Sequence, residues 1–186
     1  MKTLVFLVGE TGSGKDTVAN MLPFPKVVSY TTRPIRKNDI DNVSHYFISD
    51  KEMDIIEKRD DIIAWTKTGN TRYCAASAQL KDGVSIYIIN PDGVRWFNNN
   101  YSRRDLNVIT IGLFVPLKAR VNRCLLRGDN DDSLAARIRN EQLDYDHFRL
   151  DGEFDYIIRN DDSDKTASIV DYIINLHTAE YLFNKQ

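Results

Sequence analysis

The apolar run Leu4-Val5-Phe6-Leu7-Val8 passes directly into Gly9-Glu10-Thr11-Gly12-Ser13-Gly14-Lys15, and this junction restricts the fold more than any other stretch of the chain. A continuous apolar run rich in β-formers suits a strand covered on both faces. Gly9, Gly12 and Gly14 let the following backbone wrap with its N–H groups turned inward. Thr17, Val18, Ala19 and Met21 then read as a helix that stops before Pro23 and Pro25. Strand, Gly-rich turn and helix in that order build an anion nest, with Lys15 reaching the outer phosphates of a nucleotide as a point charge. The spacing follows G-x-x-x-x-G-K-[ST] until its last position, where Asp16 replaces the hydroxyl residue. The candidate phosphate-binding residues are therefore Gly9, Glu10, Thr11, Gly12, Ser13, Gly14, Lys15, Asp16 and Thr17; the bland alternative is a Gly-rich turn with a surface lysine.

A chain of 186 residues, 42% of them hydrophobic, buries one sizeable core and is most simply a single domain over residues 1–186. Its formal net charge of -2 provides no global field for nucleic acid or an anionic membrane, so anion binding must be local. Leu4 to Val8 is too short for a signal peptide or a membrane span. Cys74 and Cys124 are expected to be free thiols in a reducing cytoplasm.

Further apolar runs at Lys26 to Tyr30, Val84 to Asn90, Asn107 to Val115 and Asp155 to Arg159 read as strands. Helical spacing of apolar residues over Leu117 to Arg127, Ser133 to Tyr145 and Lys165 to Phe183 alternates with them. That alternation predicts an α/β fold on a parallel sheet, whose ligands sit at the carboxyl ends of the strands.

The second informative stretch runs from Val27 to Ser49. Arg33 and Arg36 stand among Ser29, Thr31, Thr32, His45 and Tyr46, so forked cations and hydroxyl donors gather in one segment, as a second phosphate requires. Solvated loop arginines are the alternative.

GETGSGK, SYTTRPIRKNDIDNVSHYF, the RCLLRG of Arg123 to Gly128, Ala136-Arg137-Ile138 and DYIIRNDD of Asp155 to Asp162 resemble guanylate kinases in order and spacing over nearly the whole chain. The resemblance implies a P-loop NTPase fold with a core five-stranded parallel sheet (residues 1–29 and 78–186). It also implies an acceptor-binding subdomain at about 30–77 and a lid at about 127–133. It implies ATP and Mg²⁺ as cofactors, small nucleotide substrates, and a monomer or homodimer with no nucleic acid or membrane partner. The acceptor phosphate falls to Arg33, Arg36 and Tyr73, with Ser29 at the pocket edge. His45 stands where the family has a tyrosine, and Tyr46 replaces that tyrosine only if the strand register shifts by one.

Arg120, Arg123 and Arg127 step by three and four along one predicted helix face that ends at Gly128. The resemblance implies that Arg123, Arg127 and Arg137 close over the transferring phosphoryl group, with Lys15 as the fourth catalytic cation. That transition state spreads negative charge over equatorial oxygens, and an anionic acceptor phosphate needs no general base. His147 and His177 therefore receive no catalytic role. At the positions where guanylate kinases hold guanine, this chain has Ala64, Ala75 and Ile88, which predicts relaxed base selectivity, because unmatched guanine donors cost about 1–3 kcal/mol each. Asn90, Asp92, Thr66 and Lys67 form an alternative recognition set.

Asp16 and Thr17 are the candidate metal ligands, since a carboxylate is a hard oxygen donor suited to Mg²⁺. SGKDT also resembles the P-loop of phage deoxynucleoside monophosphate kinases, and GSGKD that of ribose bisphosphate kinases. The expected activity is transfer of the ATP γ-phosphate to GMP or another ribo- or deoxyribonucleoside monophosphate. The alternatives are a kinase of a phosphorylated sugar such as ribose bisphosphate, and a non-catalytic guanylate-kinase-like binding module.

Overall fold

The computed structural model describes residues 2–36, 39–101, 106–129 and 131–183. Its main sheet has the order β6-β1-β7-β8, formed by Gly83–Ile89, Lys2–Val8, Leu106–Phe114 and Tyr156–Arg159. Every pairing in it is parallel. The strand expected at Lys26 to Tyr30 contributes a single parallel bridge, Lys26 to Ile86, so the fifth position of the sheet is held by one residue rather than a full strand. Val27 N–H donates to Ile86 O and Ile86 N–H to Pro25 O, after which the chain crosses into a second sheet.

β1 is buried on both sides, and its alternation assigns the layers. Leu4, Phe6 and Val8 join one core with Val94 and Phe97 of α3 (Pro91–Asn100) and Tyr145 and Phe148 of α5 (Asp131–Leu150). Val5 and Leu7 join the other with Val18 and Ala19 of α1 (Lys15–Met21) and Val170 and Ile174 of α6 (Ser163–Phe183). A period of two on a strand covered by helices on both faces is the pattern a parallel sheet demands. α4 (Leu117–Arg127) ends where expected, because Gly128 adopts φ 89° and its N–H closes the last turn. α5 runs past the expected Tyr145, because Phe148, one turn on, is fully buried; it ends before Gly152 at φ 71°.

The second sheet has the order β3-β2-β5-β4, from Tyr46–Phe47, Tyr30–Thr31, Thr71–Ala76 and Ile62–Thr68. Its outer face packs Tyr30, Trp65, Cys74 and Ala76 on Met53 of α2 (Asp50–Ile56), a helix held at its start by a Ser49/Glu52 capping box. The other face carries Thr31, Phe47, Thr66, Tyr73 and Ala75, since pleating sends neighbours to opposite sides. The irregularity between Ile62 and Ala64 puts Ile63 and Ala64 together on the main core. Cys74 and Cys124 are free and buried, and burial pushes the Cys74 thiol up to about 12.

Candidate active site

The Gly9 to Gly14 loop joins the carboxyl end of β1 to α1, and each of its glycines is imposed by a contact. A Cβ on Gly9 would stand 2.6 Å from Ser13 Oγ and 2.7 Å from Leu113 O. One on Gly12 would meet Arg120 O at 2.7 Å, and one on Gly14 would meet Asn160 Nδ2 at 2.6 Å. Gly12 and Gly14 also sit at φ 80° and 86°, in the left-handed region. α1 begins without a side-chain cap, which leaves its first N–H groups for an external acceptor. The Ser13 hydroxyl is buried and has no hydrogen-bond partner among the described residues. These features fit a polyphosphate, whose oxygens are the acceptors such donors need.

Lys15 Nζ donates to Gly9 O at 2.6 Å and Glu10 O at 3.2 Å. Burial lowers its pKa, opposed chiefly by the Glu141 and Asp16 carboxylates. Glu10, placed by sequence in the nucleotide set, instead turns its carboxylate onto Arg120 at 2.8 Å, with both side chains buried. Arg120 also donates to Thr11 O and Val115 O. It shares a helix face with Arg123 and Arg127 but serves as a strut beneath the loop. Thr11 gives its N–H to Glu141 Oε2 and its hydroxyl to Glu141 Oε1, both at 2.7 Å. Asp16 and Thr17 are exposed on the first turn of α1. Their carboxylate and hydroxyl are hard oxygen donors of the kind Mg²⁺ takes. Among the described residues, no group of three His, Cys, Asp or Glu side chains could hold a metal ion by itself, so such an ion would need phosphate or water oxygens to complete its shell.

Sequence reasoning had not singled out three side chains that hold the loop. Asn160, fully buried after β8, donates its side-chain amide to Ser13 O at 2.7 Å, and its main-chain carbonyl accepts from Arg123 Nη2 at 2.9 Å. Tyr145 donates to Gly9 O at 2.9 Å, and Glu141 clasps Thr11. Asn160 was visible only as part of DYIIRNDD, whereas Glu141 and Tyr145, on a long mixed helix, carried no sequence signal.

Two of the three candidate catalytic arginines converge on one carboxylate. Asp129 accepts from Arg127 Nε at 2.9 Å and Nη2 at 2.7 Å, and from Arg137 Nη1 at 3.3 Å. Hydrogen bonding to Arg127 holds the Asp129 carboxyl below the ordinary carboxylate value. Asn130 of the expected lid lies outside the described residues.

On the acceptor side, Arg33 pairs with Asp39 at 2.8 Å and lies 5.4 Å from the centre of the Phe47 ring. Partial burial, then the Arg33 and Arg137 cations, lowers the pKa of Arg36. Lys37 and Asn38 of this segment lie outside the described residues. His45 Nδ1 lies 3.0 Å from Ser29 Oγ, and its ring sits 5.7 Å from that of Tyr73. Burial pushes the pKa of the Tyr87 hydroxyl above its ordinary value. Burial and then Arg33 lower the His45 pKa, which favours the neutral ring.

The structure does not bring every expected residue to this face. Tyr46 pairs in register with Tyr30 and packs on its ring at 5.2 Å, on the side opposite His45, so it does not replace the family tyrosine. Lys67 lies on the α2 side with Trp65, two residues removed along β4, while Thr66 between them is buried on the acceptor side. Ile88 packs in the core between the main sheet and α6, so its side chain is turned away from the acceptor side of the sheet. Asn90 caps α3 by accepting from Gly93 N–H at 3.0 Å, and Asp92 is exposed beside Arg95. Ala64 and Ala75 are directly paired and buried.

The guanylate kinase family model matches residues 1–177. The guanylate kinase of Rickettsia prowazekii is 28% identical, over 92% of this chain and 89% of that one. That of Pseudoalteromonas translucida is 27% identical, over 92% and 85%. The crystal structure of guanylate kinase from Anaplasma phagocytophilum superposes with a TM-score of 0.72 at 22% identity, covering 94% of this chain and 85% of that one, which establishes the shared fold.

Proposed function

The chain belongs to the guanylate kinase family and is an ATP-dependent nucleoside monophosphate kinase, and we propose that it phosphorylates GMP without excluding other nucleoside monophosphates. The observation that carries this reading is the gathering of cations from separate elements at the Gly-rich loop: Lys15 within it, Arg123 reaching to within 3.6 Å of a Cβ on Gly14, and Arg127 and Arg137 held together on Asp129. Positioning two anionic substrates in line while neutralising the charge that develops between them is most of phosphoryl-transfer catalysis. In this reading the Gly9 to Thr17 loop and Lys15 hold the ATP phosphates. Arg123, Arg127 and Arg137 stabilise the transferring group. Ser29, Arg33, Arg36, His45 and Tyr73 hold the acceptor phosphate.

Mg²⁺, which guanylate kinases use with ATP, would be held by Asp16 and Thr17 and would neutralise phosphate charge. Residues 30–77 form the acceptor subdomain and the segment around 127–133 the lid. Relaxed base choice follows from Ala64 and Ala75, paired and buried where guanine donors would seek acceptors, beside the Ser29 and His45 pair. The test is turnover of ATP and Mg²⁺ against all common ribo- and deoxyribonucleoside monophosphates, with ribose bisphosphate as the sugar control. Failure of every nucleotide would overturn the reading.

A further inference from the structure

The donors a polyphosphate needs are already bonded to carboxylates from one stretch of the chain. Asp129 sits in the fork of Arg127, with its two oxygens 2.9 and 2.7 Å from Nε and Nη2, and its Oδ2 also accepts from Arg137. Planar bidentate pairing of this kind is how a guanidinium takes a phosphate. Glu141 does the same at the loop, with both oxygens 2.7 Å from the N–H and hydroxyl of Thr11. Its charge is also the foremost one supporting the Lys15 ammonium. Arg137 and Glu141 are four residues apart on α5, one above the other on the same helix face. Arg137 is thus bonded to Asp129, while Glu141, one helical turn beyond it, is bonded to the loop.

A carboxylate and a phosphate oxygen cannot occupy the same donors, and two like charges in contact repel. We propose that Asp129 and Glu141 are internal phosphate surrogates: they keep the loop donors and lid arginines assembled in the free protein and are expelled together by a polyphosphate that spans both. This inference rests on the nucleotide-site reading above. It makes the pair specificity-determining, because a single phosphate releases one clasp while a triphosphate replaces both. The expelled carboxylates oppose polyphosphate binding, so neutralising them strengthens it.

The test is calorimetric titration of the full chain with sodium tripolyphosphate and, separately, with orthophosphate, for wild type, Asp129→Asn, Glu141→Gln and the double variant. Asp129→Ser and Glu141→Ala serve as second versions should an amide variant fail to fold. Each single variant is expected to bind tripolyphosphate roughly threefold to tenfold more tightly, the range of partly exposed charge pairs and charge-assisted hydrogen bonds. The gain for orthophosphate should be smaller, and the KM for MgATP should fall. Equal or weaker tripolyphosphate binding in the variants, or none in any protein, overturns the proposal; a purely structural role would lower the melting temperature and leave the affinity where it is. Tripolyphosphate binding needs no acceptor, so a chain that shows the tightening but no turnover would fail the kinase reading alone.

Discussion

The Lys15 ammonium gives up water to lie against the Gly9 and Glu10 carbonyls, and burial lowers its pKa. The free protein therefore gains little from its charge; the bound phosphates gain much. Lys15→Ala is expected to reduce kcat/KM by about 10²-fold or more while the melting temperature holds or rises, measured on the same preparation. Asp16 poses the opposite problem, since its exposed carboxylate is tolerable among phosphates mainly with a cation between them. Asp16→Asn should raise the Mg²⁺ concentration for half-maximal rate and leave affinity for metal-free ATP equal or better, while Asp16→Ser should retain activity. A Mg²⁺ titration of Asp16→Asn that overlays the wild type would return the residue to an ordinary first-turn helix carboxylate. His45 titrates against the fold. Its pKa is depressed by burial and Arg33, so the unfolded chain takes the proton first. Its stabilising contribution is complete above the ordinary value near 6.5 and is lost as pH falls from there through the folded value. Thermal melts between about pH 7.5 and 5 should show a shallower decline for His45→Gln than for wild type; parallel declines would exclude His45 as the source.

Elements tie these residues together, and the tie beneath the Gly-rich loop is the Arg120 to Glu10 pair joining α4 to the turn after β1. Both partners are buried, so truncating one strands the other. Arg120→Ala is expected to destabilise by about 3–5 kcal/mol in chemical denaturation, and Glu10→Gln, which keeps an acceptor, by clearly less. A small loss in Arg120→Ala would mean that water reaches Glu10. The sequence placed Arg120 correctly on the face of Arg123 and Arg127 but could not separate strut from lid, because helical spacing reports direction around an axis and not what lies opposite. α4 was legible to the residue, since its apolar period ends at Gly128, where a left-handed turn is easy. α2 and α3 were not read, although Ser49 with Glu52 and Asn90 before Pro91 are start signals, because both helices are short and mostly polar. β4 and β5 escaped for another reason. Each has one face on the α2 core and one toward the acceptor, with a bulge at Ile62 to Ala64 that breaks the alternation a reader would count.

At the scale of the whole molecule, a parallel sheet carries the Gly-rich loop and a smaller mixed sheet presents the proposed acceptor face, and which residues share that face is set by pairing between distant segments. That is why the turn between β1 and α1 could be read from sequence and the face of the second sheet could not. A Gly-rich loop is contiguous, whereas the pocket depends on register in four strands. Tyr46 and Lys67 look like site residues until pleating turns them toward α2. The resulting face has hydroxyls and a neutral-leaning histidine beside Ala64 and Ala75. Guanine brings donors on its N1 and N2 edge, and a site selects strongly for such donors only when buried acceptors would otherwise go unpaired. Alanines leave nothing unpaired when adenine or a pyrimidine enters. We therefore expect kcat/KM for GMP to exceed that for AMP by far less than the factor of the order of 10⁴ that matched polar recognition can give. We also expect Ala64→Glu, which adds an acceptor beside Ala75, to shift the ratio toward GMP if the variant folds, as its melting curve would show. A wild-type ratio near 10⁴ would mean that guanine is read elsewhere, by residues outside the face shared by Ala64, Thr66, Tyr73 and Ala75.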